Sequence, residues 1–307
     1  MKKGQSEFVW IFSLIIGAMI LFLAIFSASK LFKTGTYLTE TEIVRNFDII
    51  LNPFSSMGSI ASLTLSKEIE LPYEAEMNIT CSGDAEKISM RTIEKGKKGD
   101  WTSPYTIKNK YIFSEKILQG KKFDTFSKPF KLPWRVDDMI YITSNNYCFL
   151  NTPTDIYKEL MSVNASRIKP ASNAQQCGTA IRVCFDDFAY CTRAHDINVS
   201  TSSKTVKKAG LVLFFLDDAS MYAAILSDYD IYSCNMKRLM NRTANQAGII
   251  LSEANLISAC TNANFRTSLG DLISEARNFA SSGIGWSIIN TAARVKGYDE
   301  YLCPLVN

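Results

Sequence analysis

An uncharged apolar run of 21 residues, Phe8–Ala28, constrains this chain more than any other feature of its sequence. A helix of about 20 residues, at 1.5 Å per residue, spans the ~30 Å hydrocarbon core of a bilayer. Two lysines precede the run and two follow it, so the flanking charge does not by itself set an orientation. The run predicts a transmembrane anchor within residues 1–33.

A cleaved secretory signal is the alternative interpretation of this segment. Such signals have an apolar region of about 7–15 residues followed by a site of small residues. Residues 27–29, Ser-Ala-Ser, offer such a site, but the apolar run is longer than a signal requires. We therefore expect a single-pass protein of the cell membrane that contacts lipid through residues 8–28.

The residues in front of the apolar run carry a family resemblance. Residues 2–7, Lys-Lys-Gly-Gln-Ser-Glu, lead directly into the run, and this pattern resembles the class III signal of archaeal type IV pilin-like proteins. In that family a prepilin peptidase cuts between Gly and Gln on the cytoplasmic side, and the helix stays on the mature protein. The resemblance implies processing between Gly4 and Gln5 and association with other pilin-like subunits. Glu7 would be the third mature residue, whereas pilins carry their acidic residue at the fifth.

The rest of the chain, notably residues 109–114 and 231–240, resembles archaeal membrane-anchored surface proteins that have no assigned activity. Its composition, 47% hydrophobic and 21% charged, is that of an ordinary globular protein. The single His excludes any mechanism or metal site that needs two imidazoles from one chain. Residues 34–307 hold 30 basic and 29 acidic residues, which argues against a general electrostatic grip on polyanions.

All eight cysteines and four N-x-S/T sequons follow the predicted anchor. An even number of cysteines on one side of a membrane span favours disulfides in an oxidising space, although eight cysteines allow 105 pairings. We therefore expect a cytoplasmic N-terminus and an extracellular C-terminal domain. The disulfide candidates are Cys81, Cys148, Cys177, Cys184, Cys191, Cys234, Cys260 and Cys303, and the glycosylation candidates are Asn78, Asn164, Asn198 and Asn241.

Three of these cysteines and the single His permit a sharper alternative. Cys177, Cys184, Cys191 and His195 form a C-x6-C-x6-C-x3-H pattern whose ligand types suit zinc. Structural zinc sites usually contain a closer C-x2-4-C pair, which this segment lacks. We favour a disulfide-stapled hairpin with His195 on its surface, and we predict neither a metal nor a cofactor.

Hydrophobic periodicity predicts an α+β fold in four parts. These are the anchor 1–33, a stalk 34–58, a β-rich domain 59–150, and an α/β part with C-terminal helices, 151–307. Strands are predicted at 60–65, 77–80, 106–113, 139–142, 180–185 and 210–216, and helices at 153–162, 219–227, 236–254, 269–279 and 286–295. The 210–216 strand is apolar throughout, so we expect it in the centre of a sheet with both faces covered.

Local polar residues predict where three of these helices begin. Thr152 precedes a Pro and is expected to cap the helix that follows it, and Asp217 and Asp218 are expected to cap the short helix at 219–227. Residues 227–230 resemble a capping pair for the long helix.

Residues 95–135 form a basic and aromatic segment, with eleven Lys or Arg and three acidic residues. Lysines on phosphates and aromatic rings on bases would bind a single-stranded polyanion. The favoured alternative is a hairpin whose aromatic side chains face the core and whose lysines are solvated. The candidate polyanion-binding residues are Lys97, Lys98, Lys108, Lys110, Lys121, Lys122, Lys128, Lys131 and Arg135.

The sequence offers little support for catalysis. Three Asp-Asp pairs begin at residues 137, 186 and 217, but adjacent side chains on a strand point to opposite faces, and caps or turns explain the pairs more simply. The phosphate-loop, nucleophile-elbow and zincin motifs are missing. We expect a non-enzymatic, pilin-like surface protein with an adhesive or scaffolding role. The alternative is an anchored ectoenzyme or receptor that binds a surface polymer through residues 95–135.

Overall fold

The computed structural model describes residues 14–25, 66–163, 165–186, 189–256, 263–283, 285 and 287–302, and the single positions 42, 43, 45, 49 and 51. Within these residues the chain has an α+β fold, as predicted, in which helices pack against two β-sheets. The predicted strand at 60–65 lies outside the described residues.

The apolar segment is described only in its middle. Residues 14–25 are helical, and their apolar side chains are exposed. At 1.5 Å per residue this stretch is about 18 Å long. Among the helices of the described ranges, we find none with the length and hydropathy needed to cross a membrane. The remaining residues of the 8–28 run lie outside the described part, as do Gly4 and Gln5.

The first sheet contains seven strands in the described part of the chain. They are β1 (Ser66–Ser82), β2 (Ala85–Glu94), β3 (Lys97–Lys98), β4 (Tyr105–Lys108), β5 (Tyr111–Phe113), β6 (Ile117–Lys131) and β7 (Arg135–Thr143). Their order is β3-β2-β1-β6-β7-β5, and β4 also pairs with β2. All pairs are antiparallel except β5 with β7. The strand predictions at 77–80 and 139–142 are therefore confirmed.

The prediction of one strand at 106–113 is wrong. Asn109 has a φ of 57° and interrupts the extended backbone between β4 and β5. Because of this break, β4 pairs with β2, while β5 lies at the opposite edge of the sheet beside β7. The alternating polar pattern of this segment thus belongs to two short strands.

The second sheet contains six strands among the described residues. They are β8 (Tyr147–Leu150), β9 (Ile168–Ala171), β10 (Ile181–Phe185), β11 (Ile197–Ser200), β12 (Thr205–Lys208) and β13 (Leu211–Phe214). Their order is β13-β12-β11-β10-β8-β9. The neighbouring strands β9, β8, β10 and β11 are parallel to one another. β12 is antiparallel to β11, and β13 is antiparallel to β12.

The predicted central position of the 210–216 strand is wrong, because β13 is an edge strand. Ala209 and Gly210 have φ values of 48° and 77°, which is the two-residue turn with positive φ that joins tight hairpins. This turn folds β13 back onto β12 at the end of the sheet. Of the four apolar residues of β13, only Leu213 is buried.

Helices cover the two sheets and join them. In the described residues they are α1 (Thr154–Val163), α2 (Asp218–Leu226), α3 (Tyr229–Leu256), α4 (Ala263–Ser282) and α5 (Ser287–Leu302), with a 3-10 turn at Ala174–Cys177. The predicted helices are therefore confirmed. The apolar stripe of α3 is buried as expected, through residues that include Met236, Leu239, Met240 and Ala247.

The start of α2 follows the prediction, whereas the other two predicted caps are wrong. The Asp217 carboxylate accepts the Ser220 backbone N–H at 2.8 Å in a reciprocal capping box. The Thr152 hydroxyl is buried without a hydrogen-bond partner in the described structure. Ser227 ends α2 instead of starting α3, because its hydroxyl donates to the Ala223 carbonyl at 2.5 Å.

The short helix α2 lies between the sheets and is buried on nearly every side. It contacts β6 and β7 of the first sheet and β12 and β13 of the second. The Tyr222 ring lies 6.0 Å from the Phe126 ring and 6.4 Å from the Phe149 ring, measured between centroids. One hydrophobic core therefore extends through both sheets and α3 to α5. A second core lies within the first sheet and includes Leu51, from the predicted stalk.

Candidate functional site

Six of the eight candidate cysteines form disulfides, so the disulfide prediction is confirmed for them. The bonds are Cys81–Cys234, Cys148–Cys177 and Cys184–Cys191. Cys260 and Cys303 lie outside the described residues. The zinc alternative is wrong, because all three of its cysteine ligands are consumed in disulfides. His195, the fourth member of the pattern, is exposed.

The sequons occupy different environments. Asn241 is exposed on α3, whereas Asn78 and Asn198 are half-buried on strands, with buried side-chain oxygens that have no hydrogen-bond partner in the described structure. Asn164 lies outside the described residues. Asn241 is therefore the candidate whose side chain is most open to modification.

The structure does not gather the basic segment into one binding face. The Lys98 ammonium lies 2.6 Å from Glu76, Lys122 lies 2.8 Å from Glu68, and Lys128 lies 2.5 Å from Glu159. Three further members are also engaged: Lys121 lies near Glu70, Arg135 pairs with Asp138, and Lys110 is buried. Lys97, Lys108 and Lys131 are exposed on three different strands.

The aromatic side chains of the same segment do not form a stacking platform. Tyr111, Phe113, Phe126 and Phe130 are buried in the large core, and Phe123 in the second. These five rings are therefore enclosed in the cores, where they are not open to stack on the bases of a bound strand.

The Asp pairs serve structural roles where they are described. Asp137 forms an ion pair with Arg242 at 3.1 Å. Burial raises the pKa of Asp138, while the hydrogen bond and the charge of Arg135 act to lower it. Asp186 accepts the Thr201 backbone N–H at 2.8 Å, and Asp217 caps α2.

The edge strands of the two sheets differ in how they are protected from pairing with another chain. Natural proteins protect edge strands with Lys, Pro, short length or a covering helix. At one edge of the first sheet, β3 is a two-residue strand of lysines and β4 ends in the exposed Lys108. At the other edge, α3 covers β5, and its Asn235 side-chain amide donates to the Ile112 carbonyl at 2.8 Å. In the second sheet β9 contains Lys169 and Pro170.

The remaining edge, β13, contains neither Lys nor Pro, although its last residue, Phe214, accepts a hydrogen bond from Tyr232 of α3. Its sequence is Leu-Val-Leu-Phe, and the exposed fractions are 47% for Leu211 and 44% for Val212. Tyr229, at the start of α3, is also 47% exposed. These side chains leave apolar surface exposed beside an edge strand that carries neither charge nor Pro.

A groove of about 420 Å³, lined by both apolar and polar side chains, runs beside this edge strand. One wall is β13, and the others are the start of α3 and the end of α4. The Tyr232 hydroxyl donates to the Phe214 carbonyl and fixes α3 against the strand. Lys237 is the one charged residue in the described lining of the groove.

A second depression, which we call the Lys208 cavity, adjoins the groove and has a volume of about 240 Å³. Leu213 and Tyr229 line both. Its polar lining consists of Glu115, Tyr147, His195, Lys208 and Asp228, and its apolar lining includes Ile181, Ile197, Leu211 and Ile225.

Lys208 provides the positive charge of this cavity. Burial lowers the pKa of Lys208 to about 8, although the nearby charges of Asp228 and Glu115 act in the opposite direction. Its ammonium group donates to the Ile225 carbonyl at 3.1 Å and to the Ser227 carbonyl. Lys208 thus binds the C-terminal end of α2, where a cation is favoured by the helix dipole.

Sequence reasoning missed both depressions. Glu115, Lys208 and Asp228 come from three distant parts of the chain and form no motif, so no local signal marks the cavity. The edge strand did carry a signal, an apolar run, but that run is equally compatible with a central strand.

The comparisons with known proteins add no relative to these observations. Neither protein-family models, nor curated proteins, nor solved structures give a match to this chain.

Proposed function

We propose that this chain is a membrane-tethered extracellular protein with an adhesive or scaffolding role, and that it holds a partner polypeptide by adding a strand to the β13 edge. Residues 8–28 would form the tether, with the N-terminus in the cytoplasm. Three disulfides support an oxidising location for the folded part. The observation that carries the binding role is the exposed, uncharged edge of β13 at Leu211 and Val212, because added strands gain main-chain hydrogen bonds at such an edge.

The pilin-like part of this proposal concerns the tether. A prepilin peptidase would cut between Gly4 and Gln5, and the retained helix would allow contact with other pilin-like subunits. The segment's length and the sequence of residues 2–7 support this proposal.

Backbone geometry identifies the residue that would pair with a partner strand. The Phe215 N–H donates to the Lys204 carbonyl at 3.0 Å. Bonded and non-bonded pairs alternate along an antiparallel ladder, so Leu211 and Leu213 also bond towards β12. Val212 lies between them and directs its N–H and carbonyl away from β12, towards the open edge.

The lining of the groove indicates the chemistry of the partner. Val212 and Tyr229, which are 44% and 47% exposed, provide apolar contact, so the partner strand should carry apolar side chains. Lys237 provides a positive charge, and the described structure contains no carboxylate within 4.0 Å of its ammonium group. We therefore specify the partner as an extended polypeptide segment with apolar residues and a carboxylate.

Synthetic peptides can test this specificity directly. The probes are acetylated peptides in which Val and Thr alternate around a central Asp, Asn or Lys, and binding to the full chain in detergent micelles is followed by fluorescence anisotropy. We expect the Asp peptide to bind at least about fivefold more tightly than the Lys peptide, and Lys237→Met to remove this preference.

Val212→Pro tests the strand addition. Proline is tolerated on an edge when its missing N–H faces outwards, so the β12–β13 ladder should survive while the partner loses a hydrogen bond. We expect the Asp peptide to bind at least about tenfold more weakly. Val212→Lys, which adds a charge to the edge, should act in the same direction. Ile249→Lys, on the exposed face of α3, is the control and should leave binding unchanged. Equal affinity in Val212→Pro, or no binding of any peptide, would refute the proposal.

A further inference from the structure

The Lys208 cavity lies where several elements converge. β8, β10 and β11 provide one wall, the β12–β13 hairpin a second, and the junction between α2 and α3 a third, while Glu115 enters from the segment between β5 and β6. A concave site with apolar walls and a few convergent polar groups is typical of small-molecule binding sites. At about 240 Å³ the cavity is smaller than the ~300–1,000 Å³ of drug-sized sites.

The carboxylates of the cavity are held in place by other groups. The Tyr147 hydroxyl donates to one oxygen of Glu115 at 3.2 Å, and the Asn145 amide donates to the other at 2.5 Å. The Asp228 carboxylate accepts the Lys116 backbone N–H at 2.8 Å. A carboxylate has about four acceptor positions, so both groups retain capacity for a ligand.

The Lys208 ammonium group can also donate a further hydrogen bond. A lysine ammonium has three N–H donors, and the described structure assigns two of those of Lys208, to the carbonyls of Ile225 and Ser227. The cavity therefore offers one positive donor and two negative acceptors around a wall of aliphatic side chains. A ligand with only a positive charge would be repelled by Lys208, and a ligand with only a negative charge would be repelled by Glu115 and Asp228.

We infer that the Lys208 cavity is a binding site for a small zwitterion, namely an α-amino acid with an aliphatic side chain. The ligand's carboxylate accepts from Lys208, its ammonium group donates to Glu115 and Asp228, and its side chain packs against Ile197 and Leu213. This site does not depend on the peptide partner of the β13 edge.

Three probe molecules separate the requirements of the site. They are L-leucine, 3-methylbutylamine, which lacks the carboxylate, and 4-methylpentanoate, which lacks the amine. Binding to the full chain in detergent micelles is measured by isothermal titration calorimetry, at ligand concentrations up to about 10 mM. We expect leucine to bind at least about tenfold more tightly than either analogue. No detectable binding of leucine, or equal binding of an analogue, would overturn the inference.

Single-residue variants test whether leucine binds in the Lys208 cavity. Lys208→Met and Glu115→Gln should each weaken leucine binding at least about tenfold. Lys207→Met is the matched control, because Lys207 is adjacent on β12 and exposed, outside the cavity. Unchanged affinity in folded Lys208→Met would contradict the assignment.

A measurement on the unmodified chain covers the case in which Lys208→Met does not fold. Leucine should shift the NMR methyl signals of Ile181, Ile197 and Ile225, which line the cavity, and leave those of Ile79 and Ile88, in the second core, in place. Shifts confined to isoleucines outside the cavity would place the ligand elsewhere and would also contradict the inference.

Discussion

Cys81 on β1 is bonded to Cys234 on α3, although 153 residues separate the two cysteines in sequence. The bond fastens the helical layer to the first sheet. Beside it, the buried Arg238 guanidinium lies 3.1 Å from the Glu86 carboxylate and 2.7 Å from the Asn235 side-chain oxygen. The covalent bond and the polar cluster together link β1 and β2 to α3.

Removing this long-range disulfide should cost more stability than removing a local one. In the loop-entropy model, a loop of this length contributes about 5 kcal/mol and the eight-residue loop of Cys184–Cys191 about 2.5 kcal/mol. We expect the double alanine variant of Cys81 and Cys234 to lose more free energy of unfolding than that of Cys184 and Cys191. Denaturant unfolding of both would check this, and a larger loss for the second pair would contradict it.

Stability should depend on pH through Glu86. Burial raises the pKa of Glu86 to about 7, while Asn235 and Arg238 act to lower it. The folded state therefore holds a proton that the unfolded state releases above its ordinary pKa of 4.5, so this contribution to stability is complete below pH 4.5 and is lost as the pH rises through about 7.

The free energy of unfolding of the wild type, relative to Glu86→Gln, should therefore fall by up to about 3 kcal/mol between pH 4.5 and 8. Denaturant titrations at several pH values measure this difference. Thr106→Gln, at an exposed position without a titrating group, is the control and should show a constant difference. A wild type that gains stability over Glu86→Gln as the pH rises would contradict the assignment.

The disulfides also predict the number of reactive thiols. Alkylation of the unfolded, unreduced chain should label at most the two cysteines that lie outside the described residues, Cys260 and Cys303. Intact mass with and without reduction counts the labels. Six or more free thiols would contradict an oxidising location for the folded part.

Processing of the N-terminus tests the pilin-like proposal. Coexpression with an archaeal prepilin peptidase should give a mature chain that begins at Gln5, as shown by N-terminal sequencing. Gly4→Val should block the cut and leave membrane insertion intact, because insertion depends on the apolar run. A mature chain that begins near Lys30 would instead identify the segment as a secretory signal.

The sequence predicted those features that local chemistry determines. Periodicity identified α3 and α4, and Asp217 marked the start of α2, because each depends on residues within a few positions. Even cysteine number predicted disulfides but could not pair Cys81 with Cys234, because long-range pairing depends on the fold.

The errors arose where the fold decides between equivalent local patterns. An apolar strand is compatible with a sheet centre or with an edge that faces a groove, and only the turn at Ala209 and Gly210 places β13 at the edge. The basic segment looked continuous in sequence, but pairing with carboxylates such as Glu76 and Glu159 disperses its charge. The Lys208 cavity could not be predicted, because its polar groups meet only in the folded chain.

Amide hydrogen exchange at Val212 tests the proposed strand addition most directly. The full chain is measured by NMR with and without the Asp-containing peptide. We predict that the peptide slows exchange of the Val212 N–H at least about tenfold and leaves the Leu213 N–H, which already bonds to β12, nearly unchanged. Peptide binding with unchanged exchange at Val212 would contradict strand addition at the β13 edge.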